Sequence, residues 1–113
     1  MQIIKKLITI KDLATIAQNF FGDMVKGVVD VENDILAIDA GLHADLETFL
    51  LKNGSKQENL WGINLYPELK GEDFIEFDSM INIRPTQNNR TRGVDDEKIR
   101  QKIAEIVNQR IGK

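Results

Sequence analysis

Arginine and amide side chains concentrate in residues 82–92, which read NIRPTQNNRTR. Arginine binds carboxylate or phosphate through paired N–H donors, and amides supply both donors and acceptors that orient a ligand. We therefore predict a patch that binds an anionic or polar ligand around this loop, with one amide added from the preceding strand. Its members are Asn64, Asn82, Arg84, Gln87, Asn88, Asn89, Arg90 and Arg92.

The charge of the chain is divided unevenly. Residues 1–83 carry seven lysines and fourteen acidic residues, a net charge of −7, whereas residues 84–113 carry eight basic and four acidic residues, a net charge of +4. All the arginines lie in the second part. The low sequence pI of about 5.1 argues against broad, non-specific nucleic-acid binding. A small anionic ligand, an RNA or a protein partner all remain open as partners of the basic loop.

Three functional hypotheses remain open for these residues. The first is a binding or interaction module built on the patch. The second is a metal-independent hydrolase, such as a small phosphodiesterase or ribonuclease, in which Glu76 and His43 supply base and acid and Arg84 or Arg90 holds the phosphate. The third is a purely structural polar network that braces the loop against a sheet.

Several kinds of site are excluded by the residue types present. There is no cysteine and a single histidine, His43, so disulfides, thiolate zinc sites and histidine-rich zinc sites within one chain are excluded. The only serines, Ser55 and Ser79, lie in no G-x-S-x-G motif, and no glycine-rich nucleotide-binding loop is present. We expect neither a bound metal nor a cofactor.

Length and composition indicate one domain over residues 1–113. A chain of 113 residues with 42% hydrophobic residues is long enough for one core without disulfides or metal. No secretory signal is visible, and no run approaches the roughly 18 apolar residues of a membrane span. We therefore expect a cytoplasmic location with no membrane partner.

The elements that must position the candidate site follow the order β-α-β-β-α-β-β-α, which predicts an α+β fold. Strand patterns cover residues 2–8, 24–31, 35–38, 60–67 and 73–84, and helix patterns cover residues 10–21, 42–52 and 95–111. The sheet is expected to be antiparallel or mixed. Helices 10–21 and 95–111 carry apolar stripes and are expected to pack on one face of it.

The strand predicted at 73–84 carries most of the candidate chemistry. Its alternation places Phe77 towards the core, and Glu76, Asn82 and Arg84 on the opposite face. Pairing with strand 60–67 would bring Asn64 and Tyr66 to this polar face. Gly62, within strand 60–67, indicates a bulge or the close approach of another group.

Four segments of the chain resemble a family of short bacterial proteins that are catalogued only as uncharacterised. They read DMVKGVVDVENDILAI, LHAD, NGSKQENLWGINLYPE and FDSMINIRPTQNNR, and the combination of LWG, INIRP and the amide-rich loop is the most specific part. The resemblance covers nearly the whole chain. It implies a single compact cytoplasmic domain and, because the family has no assigned activity, no functional residue.

Overall fold

The centre of the fold is an antiparallel sheet of five strands. The computed structural model describes residues 1–112, so Lys113, the last residue of the predicted domain, lies outside the described residues. The strands are β1 (Gln2–Ile3), β2 (Ile8–Thr9), β3 (Val25–Asp30), β4 (Ile35–Ile38), β5 (Leu60–Leu65), β6 (Ile75–Glu76) and β7 (Ile111–Gly112). The sheet has the order β1-β4-β3-β5-β6, and β2 and β7 form a separate parallel pair.

Helices cover both faces of this sheet. They are α1 (Ile10–Gln18), α2 (His43–Lys52) and α3 (Glu97–Arg110). Leu13 of α1 and Ile103 of α3 pack into one buried cluster with Ile63, whereas Leu46 of α2 packs into a second cluster with Val28 on the other face. The predicted α+β class is confirmed. The Cα radius of gyration of 12.8 Å matches the value of about 13 Å expected of one compact domain.

The first helix begins and ends for local reasons. Thr9 Oγ1 accepts a hydrogen bond from the Asp12 N–H at 3.1 Å, and the Asp12 carboxylate accepts one from the Thr9 N–H at 3.0 Å. This capping box satisfies two N–H groups at the start of the helix. The helix ends at Gln18 instead of residue 21, which leaves Phe20 and Phe21 exposed in the following turn.

The strand predicted over residues 73–84 is wrong beyond Glu76. Only Ile75 and Glu76 pair with β5, and the chain then enters two single turns of 3₁₀-helix, Met80–Asn82 and Pro85–Gln87. Ser79 Oγ accepts a hydrogen bond from the Ile81 N–H at 3.2 Å, which favours the first turn over an extended strand. The inward face is also shifted, since Phe74 is 1% exposed and Phe77 is only partly buried.

The predicted strand over residues 2–8 is also wrong as one element. It divides into β1, in the main sheet, and β2, which pairs with β7. Within the described residues 1–112, none of the helices combines the length and the apolar character needed to cross a membrane.

Candidate functional site

The side chain of Asn82 takes the place of a neighbouring strand along part of β5. Its Oδ1 accepts a hydrogen bond from the Gly62 N–H at 2.8 Å, and its Nδ2 donates to the Gly62 carbonyl at 3.0 Å and to the Arg92 carbonyl at 2.9 Å. The residue is fully buried. Asn82 therefore satisfies backbone groups that β6 is too short to reach.

Asn89 performs a similar task inside the loop. Its Nδ2 donates to the carbonyls of Asn82 and Gly93 at 2.7 and 2.8 Å, and its Oδ1 accepts from the Asp95 N–H at 2.8 Å. Asn88, in the left-handed conformation with φ of 59°, makes the tight turn that returns the chain to Asn89. The observed bonds of these amides are made to the backbone of the protein, and a role for them in ligand binding stays a prediction.

Arg84 is held at the start of β5. Its guanidinium donates to the carbonyls of Gln57 and Leu60, the latter at 2.6 Å, and its Cζ lies 4.2 Å from the centre of the Trp61 ring. Burial lowers the pKa of Arg84, and the nearby Glu47 carboxylate opposes that shift. Gln87, on the same turn, donates to the Glu58 carbonyl at 3.0 Å.

Glu76 lies at the opposite end of β5. Its Oε1 accepts a hydrogen bond from Asn64 Nδ2 at 2.8 Å and one from the Tyr66 hydroxyl at 3.0 Å, so the predicted meeting of these three residues is confirmed. Burial, and then the Glu76 carboxylate, raise the pKa of Tyr66. Asn82 and Arg84, which were expected on the same face, are not part of this network, because β6 ends at Glu76.

His43, the first residue of α2, faces the sheet. Its Nε2 lies 2.8 Å from the Ile63 carbonyl and carries a proton, because a carbonyl oxygen only accepts. Burial lowers the pKa of His43, the hydrogen bond to Ile63 opposes this shift, and the charge of Lys26 adds to it. The neutral ring therefore leaves Nδ1 as an acceptor. His43 also lines a cavity.

That cavity, which we call the α2 pocket, has a volume of about 220 Å³. It is lined by Lys26 of β3, residues 42–44 at the start of α2, residues 79–81 and Arg92. A glycine at position 62 makes this packing possible, because a Cβ there would lie 2.5 Å from Ser79 Cβ and 3.2 Å from His43 Cδ2. The close approach predicted at Gly62 is confirmed.

The predicted catalytic residues do not meet in this pocket. Only His43 lines it, whereas Glu76 bonds Asn64 outside its lining, and Arg84 lies at the other end of β5. Arg90 is exposed and does not line it either. A larger groove of about 600 Å³ runs between α3 and residues 71–77, but none of the predicted site residues lines that groove.

The α2 pocket collects hydrogen-bond donors and positive charge. Arg92 donates through Nε to Asp78 at 2.7 Å and contacts Met80 Sδ through Nη1 at 3.6 Å, which leaves Nη2 available. Leu42 occupies the N-cap position of α2 without a side-chain acceptor, and the N–H groups of His43 and Ala44 have no acceptor within residues 1–112. The positive end of the helix dipole therefore also faces this region.

The sequence pointed to part of this pocket only. Arg92 and His43 were predicted, whereas Lys26, Ser79 and the free N–H groups of α2 were missed. Lys26 is placed by strand register, since it lies opposite Asn64 across β3 and β5, and no local pattern reveals that pairing. The N-cap position of a helix prefers Ser, Thr, Asp or Asn. Leu42 at this position was the one available sign in the sequence that α2 is uncapped. Among residues 1–112 no three His, Asp or Glu side chains are grouped so that they could hold a metal ion.

Comparison with known proteins gives a family but no activity. The model of the family described as "Protein of unknown function (DUF5674)" matches residues 2–110. No curated protein and no solved structure matches the chain. Because the family model covers nearly the whole sequence, the chain belongs to the DUF5674 family.

Proposed function

We propose that this protein is a small binding module whose ligand carries an anionic group, held in the α2 pocket. The proposal keeps the anion-binding role predicted for the arginine-rich loop and moves its centre to Arg92 and the start of α2. The observation that carries it is the convergence of Lys26, Arg92 and the uncapped end of α2 on one cavity. These donors come from three elements that are distant in sequence.

The charges around the pocket support one anionic group. No Asp or Glu lines the cavity itself within residues 1–112, although Asp78 holds the Nε side of Arg92 from outside. Lys26 and Arg92 against Asp78 leave one net positive charge, and a helix N-terminus adds roughly half a charge. His43 adds an acceptor when neutral and a donor when protonated.

A titration followed by NMR tests this proposal. Sulfate is the first probe because its charge does not change near neutral pH, and inorganic phosphate is the second. We expect the backbone amide signals of residues 42–44, 79–81 and 92 to shift together at millimolar concentrations of either anion. Binding should weaken as salt is added, because the pocket is partly open to solvent.

One matched pair of variants and a third substitution separate a binding role from a structural one. Arg92→Gln should weaken sulfate binding at least about fivefold, because two unit charges ~4 Å apart in a solvent-like dielectric interact by about 1 kcal/mol and sulfate carries two negative charges. Arg90→Gln removes the same charge from the same loop, away from the pocket, and should leave binding unchanged. Asp78→Asn should strengthen binding, because it removes the opposing charge while its amide oxygen still accepts from Arg92.

The outcome that contradicts the proposal is equally definite. If no amide signal of the pocket moves with sulfate or phosphate, or if Arg90→Gln weakens binding as much as Arg92→Gln does, the α2 pocket is not an anion site. An increase in affinity in Asp78→Asn is not expected from a purely structural network.

The hydrolase hypothesis is less well supported by this geometry. It needs an acid, a base and a phosphate clamp around one substrate, and only His43 of its predicted residues lines the α2 pocket. Catalysis by His43, Glu76 and Arg84 or Arg90 therefore stays a prediction. The cytoplasmic location expected from the sequence also stays a prediction.

A further inference from the structure

We infer that the ligand of the α2 pocket is a nucleoside monophosphate, whose phosphate enters the pocket while its base stacks on Phe21 and Phe20 outside it. This inference rests on the proposed anion-binding function and adds the chemical class of the ligand. It comes from the size of the pocket, the residues at its rim and its net charge.

The pocket is too small to enclose a whole organic ligand. Its volume of about 220 Å³ is below the range of roughly 300–1,000 Å³ of cavities that bury most of a drug-sized molecule. An anionic group fits inside, and the remainder of a larger ligand must lie across the rim. The residues at the rim therefore decide which ligand is preferred.

The rim is apolar and aromatic. Leu42 and Met80, which line the pocket, are 59% and 64% exposed, and Phe20 and Phe21, which lie outside its lining, are 44% and 46% exposed. Lys26 Nζ lies 5.2 Å from the centre of the Phe21 ring, so one side chain connects the cationic pocket to the aromatic surface. Phe20 Cδ1 lies 3.9 Å from the position of a Cβ on Gly41, just before α2.

Exposed aromatic rings beside a cationic pocket match the two ends of a nucleotide. A nucleobase offers a flat π surface to an aromatic side chain, and this stacking tolerates different bases. The other three phenylalanines are buried or partly buried, so both exposed phenylalanine rings lie next to Lys26 or to Gly41, which precedes α2. Large apolar side chains grouped on an exposed surface are characteristic of a binding region.

The charge of the pocket favours one phosphate over three. Lys26, Arg92 and the helix end face a single opposing carboxylate, Asp78, and the chain has no glycine-rich loop to cradle a triphosphate. The further phosphates of a nucleoside triphosphate would extend beyond these donors. We therefore expect ATP to bind no more tightly than AMP.

The experiment compares five probes on the wild-type chain by NMR titration: AMP, ribose 5-phosphate, adenosine, hexyl phosphate and inorganic phosphate. AMP should bind about tenfold more tightly than ribose 5-phosphate, which has the phosphate and sugar but no base. Hexyl phosphate controls for simple apolar contact with Leu42 and Met80 and should also bind more weakly than AMP.

A substitution of the ring tests the stacking surface directly. Phe21→Leu keeps an apolar side chain but removes the flat ring, and should abolish most of the advantage of AMP over ribose 5-phosphate. Its affinity for inorganic phosphate should remain within twofold of the wild type. Leu69→Ala, which shortens an exposed apolar side chain that does not line the pocket, is the matched control and should change neither affinity.

The possible failures are distinguishable. If phosphate and ribose 5-phosphate bind in the α2 pocket but AMP binds no more tightly than either, the nucleotide inference is wrong and the anion-binding proposal stands. If hexyl phosphate equals AMP, or if Phe21→Leu keeps the preference for AMP, the base is not recognised by stacking and the inference is again wrong. If none of the phosphates binds, both proposals are overturned.

Discussion

Substitution of Asn82 is the sharpest test of how this fold is held together. Its side chain makes three hydrogen bonds with two residues of the backbone, to the Gly62 N–H, the Gly62 carbonyl and the Arg92 carbonyl, all between 2.8 and 3.0 Å. Asn82→Ala leaves the Gly62 N–H and carbonyl without their partner in a fully buried position, whereas the Arg92 carbonyl keeps its hydrogen bond from the Ser79 N–H. Each buried polar group left unpaired costs about 1–3 kcal/mol, and carbonyls tolerate this better than N–H groups.

We expect Asn82→Ala to lower the free energy of unfolding by about 3 kcal/mol, because water entering the vacated space replaces part of the lost bonding. The loss is measurable in a domain whose total stability is ordinarily about 5–15 kcal/mol. Asn108→Ala, which removes the same amide from an exposed position on α3, is the control and should stay within about 0.5 kcal/mol of the wild type.

Asn82→Asp separates the donor role of this side chain from its shape. The carboxylate keeps an acceptor for the Gly62 N–H but faces the two carbonyl oxygens where Nδ2 donated, so we expect a loss of about 4 kcal/mol or more near neutral pH. Burial raises the pKa of the introduced carboxyl above its unfolded value. Its penalty is therefore full above the raised pKa and decreases as the pH falls through that value, since the protonated group can donate again.

Urea unfolding followed by the fluorescence of Trp61 measures these changes. Trp61 is the only tryptophan and is 2% exposed, so its environment reports global unfolding. The bonding described for Asn82 would be refuted if Asn82→Ala unfolded within 1 kcal/mol of the wild type. It would also be refuted if the difference between Asn82→Asp and the wild type did not shrink with acidification.

Three further predictions follow from the same region. Gly62→Ala should cost about 2 kcal/mol in urea unfolding, because the new Cβ would lie 2.5 Å from Ser79 Cβ, and adding Ser79→Gly should recover part of the loss. Burial lowers the pKa of His43 below its unfolded value of about 6.5. The contribution of neutral His43 to stability is therefore full above its unfolded pKa and is lost as the pH falls towards its folded pKa. His43→Gln should remove this pH dependence from the free energy of unfolding measured between about pH 5 and 8. Arg84→Gln should cost about 2–3 kcal/mol, since it removes two carbonyl contacts and the stacking on Trp61, whereas Arg90→Gln should change the stability by less than about 0.5 kcal/mol.

Most of the fold could be predicted because its determinants are local. The stripes that contain Leu13 in α1 and Ile103 in α3 repeat with the helix period, and both helices are present, although α1 ends at Gln18 instead of residue 21. The cap formed by Thr9 and Asp12 is similarly local, since it spans one turn. The folded chain keeps the structure that these local patterns predict because the packing of the core favours the same structure.

The region after Glu76 could not be predicted because side chains there compete with strand pairing. Alternation through residues 77–83 is the pattern of a strand, yet Ser79 bonds the N–H two residues ahead of it, and Asn82 bonds a strand twenty residues away. A sequence pattern registers the apolar spacing and not these bonds. The candidate site was incomplete for the same reason, since Lys26 enters it only through the register of β3 against β5.

The structural and the functional interpretations of the amide-rich loop do not exclude one another. Asn82 holds the Arg92 carbonyl, and the same carbonyl accepts the Ser79 N–H at 2.9 Å, so the bonds that close the edge of β5 also fix the backbone that carries the Arg92 side chain. Gly62 then lets residues 79–81 lie close above the strand and against His43, which closes the α2 pocket. If the loop were purely structural, none of its charged side chains would need to face a cavity with free N–H donors. Folded Asn82→Ala protein at low temperature should therefore also bind sulfate more weakly than wild type, although Asn82 itself does not line the pocket.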